Sequence, residues 1–197
     1  MTRKIPSHQE NPVDDALIRL AELTAPAFKA TGHTPNMLTA YSMALGLAAV
    51  WALAADWAPW TFAALWMASY FFDCADGFYA RAYGMVSAGG DLFDHIKDVV
   101  VYVLLVAVAA WKFVGVVPWP TLVGVGAAVA AFLALSTVHL GCQEALFSGT
   151  VDGDGNKGVL AGLKGVCANP SRWIRWTRWV GVGTLNVVTV LAVVYLM

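Results

Sequence analysis

Between residues 73 and 98 the chain sets out four aspartates in two pairs. Asp73 and Asp76 stand three apart, Asp94 and Asp98 four apart, and on a helix either spacing puts both side chains on one face. The first pair opens the run Asp73-Cys-Ala-Asp76-Gly77-Phe-Tyr-Ala80-Arg81. After eight intervening residues comes Gly90-Asp91-Leu-Phe-Asp94-His95-Ile-Lys97-Asp98. Carboxylate oxygens suit hard divalent cations, Mg²⁺ or Mn²⁺. Two such ions held by shared carboxylates would clamp a pyrophosphate and support displacement at phosphorus. Crowded carboxylates also repel one another, and Arg81 and Lys97 are the cations at hand to offset them. Gly77 and Gly90 leave room for a ligand or a neighbouring helix, Ala80 keeps its face small, and Arg81 offers a fork of donors suited to a phosphate.

Composition says which elements carry these residues. The 197 residues are 59% hydrophobic and 13% charged, with a mean hydropathy of +0.64. A soluble domain carries about 25% charged residues, so the balance points to an integral membrane protein. A formal net charge of −1 argues against a nucleic-acid partner held by bulk charge. Cys74, Cys142 and Cys167 are odd in number and lack metal-ligand spacing, so they read as small buried apolar side chains. Residues 1–35 hold no apolar core segment, so no signal peptide is expected and the spans themselves direct insertion.

Five stretches approach the roughly 20 apolar residues that cross a bilayer as helix. They are residues 37–57, 60–79, 99–117, 121–140 and 179–197. The expected fold class is all-α, a polytopic integral membrane helix bundle, with residues 36–197 as its transmembrane domain. Residues 149–177 read as a polar, glycine-rich loop; within it, residues 158–167 form a candidate sixth short segment, interfacial or re-entrant rather than spanning. Residues 1–35 make a cytoplasmic N-terminal segment. Its residues 11–30 read as an amphipathic surface helix, interrupted at Pro26, with Val13, Leu17, Leu20 and Phe28 on the apolar face and Asp14, Asp15, Arg19 and Glu22 elsewhere. Thr34-Pro35-Asn36 reads as the turn into the first span.

Charge then sets the orientation. Arg3, Lys4, Arg19 and Lys29 precede the first span, Arg81 and Lys97 flank the second turn, and Lys157, Lys164, Arg172, Arg175 and Arg178 precede the last span. Lys112 alone falls at the opposite face. The positive-inside rule makes the basic side cytoplasmic, so both aspartate pairs are expected there. Trp57, Trp60, Trp111 and Trp119 fall at the outer turns and Trp173, Trp176 and Trp179 at the inner end of the last span, as interface belts. An acidic side chain costs about 2.5–3.5 kcal/mol at the bilayer centre and less near the boundary, which favours the aspartates at helix ends.

The acidic stretch resembles the signature of the CDP-alcohol phosphotransferase family, D-x2-D-G-x2-A-R-x8-G-x3-D-x3-D. Asp73, Asp76, Gly77, Ala80, Arg81, Gly90, Asp94 and Asp98 fill every fixed position, and Pro35-Asn36-x-x-Thr39 is similar to the family's entry to its first span. The resemblance implies a membrane transferase of phospholipid biosynthesis. It would move a phospho-alcohol group from a CDP-alcohol donor to a lipid or polar alcohol acceptor and release CMP. It also implies two Mg²⁺ or Mn²⁺ ions on Asp73, Asp76, Asp94 and Asp98, with Asp98 as general base. Gly77, Ala80 and Arg81 would contact the CDP moiety, helped by Asn36 and Thr39. Six spans and a homodimer are the family's usual form. Five spans are clear here.

Other residues carry two readings each. The Phe93-Asp94-His95 run looks like the choline/ethanolamine phosphotransferase branch, so His95 is either a substrate-positioning histidine or a helix-surface one. Asp91 suits either a capping role at a helix start or a metal contact, and Ser87 either matches a serine common in the family or makes a loop hydrogen bond. His139, Gln143 and Glu144 either read the acceptor's hydroxyls or cap a helix end in water. Arg172, Arg175 and Arg178 either anchor the chain or grip a lipid phosphate. Asp152-Gly-Asp154-Gly-Asn156 reads as a turn, since Lys157 stands where a calcium loop needs glycine. Two other classes compete: an aspartate-rich intramembrane prenyltransferase, whose acidic motifs would lie far apart, and a cation transporter, whose acids would lie near the midplane.

Overall fold

The computed structural model describes residues 3–148 and 159–197. Among them are seven α-helices and no β-strand: α1 (Pro12–Ala30), α2 (Pro35–Ala54), α3 (Pro59–Ala82), α4 (Ala88–Phe113), α5 (Trp119–Ser148), α6 (Pro170–Thr177) and α7 (Val182–Leu196). This is an all-α membrane bundle. Local chemistry sets most of the starts. Proline, whose missing N–H costs nothing in a first turn, begins α1, α2, α3 and α6. Side-chain oxygens of Asn11, Thr34, Ser87 and Asn169 accept from otherwise orphaned N–H groups of α1, α2, α4 and α6. Thr34 thus opens the first span as expected, and Ser87 caps the helix that Asp91 enters in its first turn.

Helices α2, α5 and the stretch Pro170–Leu196 are long and apolar enough to cross a membrane. Helices α3 and α4 have 24 and 26 residues, and their charged ends lower their hydropathy. The expected third span begins well inside α4, because the second aspartate pair lies within the helix rather than before it. All the tryptophans assigned to the two belts are exposed, as side chains facing lipid and headgroup should be.

The core is built mainly by α2, α3 and α4. Gly46 lets α2 come close to both neighbours, because a Cβ there would meet Val101 Cγ1 at 2.9 Å and Ser69 Oγ at 3.1 Å. Ala49, Leu53, Phe62, Trp66 and Leu105 fill the half away from the aspartates. Lipid is as apolar as these side chains, so interhelical hydrogen bonds add specificity, at about 0.6–2 kcal/mol each. Ser69 donates to the Ser42 carbonyl at 2.8 Å, and Trp66 and Tyr102 both donate to Asn186 Oδ1 of α7, at 2.9 and 3.0 Å. Little of α5 is covered by the rest of the chain.

Several expectations are corrected. Helix α1 runs through Pro26 without a break; Pro26 and Glu22, whose carbonyl loses its usual donor to the proline, are both exposed. Its packed face is Asp14, Ile18, Ala21 and Ala25, against Ala75, Phe78 and Tyr79 of α3, while Leu20 and Leu23 are exposed. Small alanines permit close packing on α3, so the larger leucines turn outward to the lipid boundary. The loop 149–177 contains structure. Val159–Val166 is a 3-10 segment and Pro170–Thr177 a helix, with the Asp152–Asn156 turn outside the described residues. Cys142 and Cys167 are not separate apolar side chains: they form a disulfide across 25 residues, and Cys74 is the free thiol. Spacing alone could not reveal that pairing.

Candidate active site

Both aspartate pairs meet at one end of the bundle. Asp73, near the end of α3, and Asp94 and Asp98, near the start of α4, each offer a carboxylate oxygen, and these lie within 4.8 Å of one another. Their side chains are partly open to solvent, Asp98 most of all at 46%. A six-coordinate Mg²⁺ spans opposite oxygens at about 4.2 Å, so small closure would seat an ion there. Asp94 Oδ1 is buried and lies 3.0 Å from the Lys97 ammonium. The donor set fits a hard divalent ion.

Asp76 lies behind these three, within electrostatic reach of Asp94, Asp73 and Lys97. It is buried, and its Oδ2 accepts from the Thr39 hydroxyl at 2.5 Å. Thr39 therefore reaches the site through Asp76, and it also bonds the Pro35 carbonyl at 3.2 Å. Among the carboxylates stands Lys97, its side chain 3% exposed. Its Nζ lies 3.0 Å from Asp94 Oδ1 and 2.8 Å from Asp98 Oδ1, and it pairs closely with Asp73 across the helix boundary. The sequence offered Lys97 as an offsetting charge; the fold puts it at the centre.

The remaining signature residues surround this group. Arg81 folds back along α3 over Gly77, where a Cβ would stand 3.2 Å from Nη1. Glycine there is what lets the guanidinium lie against its own helix, within electrostatic reach of Glu10, Asp76 and Glu144. Asn36 is exposed, and its Oδ1 would stand 3.1 Å from a Cβ at Gly90, so α2 and α4 approach closely at that point. Ala80 is half-buried. His95 Nδ1 lies 2.7 Å from the Asp91 carbonyl, which turns the ring back along α4.

A cavity of about 50 Å³ opens beside Asp73, Lys97 and Asp98 toward the bundle interior. Ser42, Ser69, Tyr102 and Asn186 give it polar walls, with Trp66 and Val101 between them. That volume holds a few waters or the end of a small alcohol. Asn186 was not singled out in the sequence; its signal was an amide inside an apolar span.

A second polar cluster lies at the same end and is closed. His139 and Gln143 were expected to read an acceptor or to cap a helix end in water, but both are buried. Gln143 donates to Glu10 at 3.1 Å, His139 Nδ1 lies 3.1 Å from Thr177 Oγ1, and Lys4 pairs with Glu144. Asn11 donates to the Arg178 carbonyl at 2.5 Å and to Thr184 at 2.7 Å. The N-terminal residues thus strap α5, α6 and α7 together, and Arg178 adds a bond to the His8 carbonyl. Burial pushes the Glu10 carboxyl up to about 7, and nearby Asp14 adds to the rise. Burial also lifts Asp14 to about 6, opposed by hydrogen bonds from the Tyr70 hydroxyl at 2.5 Å and the Gly183 backbone.

Neither a curated protein nor a solved structure matched the chain. The family model for CDP-alcohol phosphatidyltransferase matches residues 32–148, a stretch that contains α2, α3 and α4 with the whole acidic signature. That is more than half of the sequence, and the chain belongs to this family of membrane transferases.

Proposed function

We propose that the chain transfers a phospho-alcohol group from a CDP-alcohol to an acceptor hydroxyl and releases CMP, at the cytoplasmic boundary of its membrane. The observation that carries this reading is the convergence of Asp73, Asp94 and Asp98 on one point at the end of α3 and α4. A site at the bundle's end suits a reaction in which one substrate is soluble and the other a lipid. The basic residues near that end favour the cytoplasmic side.

Asp73, Asp94 and Asp98 would hold the divalent ion, with Asp76 behind them fixed by Thr39. A bound Mg²⁺ or Mn²⁺ neutralises a pyrophosphate and the charge that grows on the departing CMP. Arg81 presents its fork to the donor's phosphates, and Gly77 and Ala80 leave the nucleotide room. Asp98, the most open of the three carboxylates, takes the proton from the acceptor hydroxyl as its oxygen attacks the alcohol-bearing phosphorus. A new phosphoester forms, the phosphoanhydride bond breaks, and its electron pair leaves with CMP. The uncovered face of α5 leaves surface for lipid and for the second copy of a homodimer.

Purified protein in detergent, given Mg²⁺ or Mn²⁺ and pairs of donor and acceptor, tests this directly. One arm joins CDP-diacylglycerol to inositol, serine or glycerol phosphate; the other joins CDP-choline or CDP-ethanolamine to diacylglycerol. CMP should appear with one arm and stop on chelation by EDTA. Silence across both arms, or CMP release indifferent to EDTA, would overturn the reading.

A further inference from the structure

The acidic cluster already contains a cation. Lys97 lies on α4 between Asp94 and Asp98, and its side chain is almost wholly buried. Its ammonium approaches Asp94 Oδ1 at 3.0 Å and Asp98 Oδ1 at 2.8 Å, pairs with Asp73, and has Ser42 Oγ at 3.4 Å. The three carboxylates able to share an ion are the three that Lys97 touches.

We infer that Lys97 is a built-in cation that takes the place of one of the two divalent ions, so that the site holds a single ion. The position of the ammonium carries this. At hydrogen-bonding distance from two carboxylates and paired with a third, on the buried side of the group, it supplies the charge that a second dication would bring, and a dication at that point would meet both its bulk and its charge. The solvent-open side of the carboxylates is left for one ion. Lys97 also differs from a metal in being covalently fixed. It neutralises part of the acidic charge before any ion arrives, so the ion-free protein does not face four unpaired carboxylates.

The inference rests on the proposed transferase reading, and its test is an ion count rather than turnover. Mn²⁺ is titrated into the full chain in detergent, saturated with CMP, and followed by calorimetry and electron paramagnetic resonance. Wild type should take one ion per chain with the spectrum of an isolated Mn²⁺. Lys97→Met, similar in length and without charge, should take two with the broadened spectrum of a coupled pair. Without metal, Lys97→Met should also melt below wild type, and Mn²⁺ should restore it. Lys97→Gln serves as the second variant if Lys97→Met does not fold. Two coupled ions in wild type would overturn the inference, as would one ion in both proteins or no tight ion in wild type. A count of one rising to two, without CMP release from any donor, would leave the ion exchange standing and remove the transferase reading instead.

Discussion

Two polar clusters sit at the same end of the bundle and obey opposite rules. Around Gln143, the side chains are buried and joined to one another, down to Glu10, Thr177 and Lys4. Around Lys97, the carboxylates of Asp73, Asp94 and Asp98 stay partly open to solvent although all three meet its ammonium. A buried polar group costs stability unless it is satisfied, so the first cluster has the form of a fastening. The second gathers three carboxylates around one ammonium and leaves them open to solvent, more negative charge than its lysine balances, which folding alone would not favour. Uncompensated charge of that kind marks a place for a cation.

That contrast breaks if either cluster behaves like the other. The largest effect is expected from Asp98→Asn, which should lower CMP release about 10³-fold, within the range for losing a general base. Its melting temperature in detergent should stay within a few degrees of wild type. Near-normal turnover would remove Asp98 from the chemistry. In the other cluster the order reverses. Reducing Cys142–Cys167 frees a 25-residue closure between α5 and the approach to α6, at a cost on the order of 3 kcal/mol. Melting with and without dithiothreitol reads that loss, and the activity of each folded molecule should persist. A reduced protein that melts normally but makes no CMP would tie the disulfide to the site.

Gln143→Ala comes next. It strips Glu10 of its donor inside the strap, which should cost about 2 kcal/mol, seen as a lower melting temperature at unchanged turnover. An unaltered melting curve would mean that the strap is not holding the helices.

The two clusters were also unequally legible. Aspartates three and four apart on joined helix ends specify their own convergence, since helical periodicity fixes the faces and a short turn fixes the distance. Asp73, Asp94 and Asp98 therefore came together as the spacing required. Asp76 stands within electrostatic reach of Asp94 and Asp73 but outside that closest group, with one oxygen bonded to Thr39 of α2, and nothing in a signature reports that partner. The strap is a different case. Glu10 and Gln143 bond across 133 residues, and Cys142 finds Cys167 without a framework of other cysteines. Contacts of that reach depend on how α1, α5 and α6 pack, and apolar patterning in lipid sets packing faces weakly. Helix α1 shows this, with Leu20 and Leu23 outward and Asp14 inward.

The smallest expected effect separates the clusters by pH. Glu10 ionises near its ordinary value in the unfolded chain, but burial raises it to about 7 in the fold. Between those values the native state holds the proton and the unfolded state does not, so stability falls as pH rises. Asp14, raised to about 6, acts in the same direction over a lower range. Moving from pH 8 to pH 6 should therefore stabilise the protein by on the order of 1 kcal/mol through Glu10. Thermal unfolding of wild type beside Glu10→Gln isolates that share, because the amide cannot titrate and the active-site aspartates are common to both proteins. The difference between the two curves should change across this window and level off above pH 8. A constant difference would mean that Glu10 is ionised in the fold as it is in water. The strap would then be held by charge, and the distinction between a closed cluster and an open one would fail at its first member.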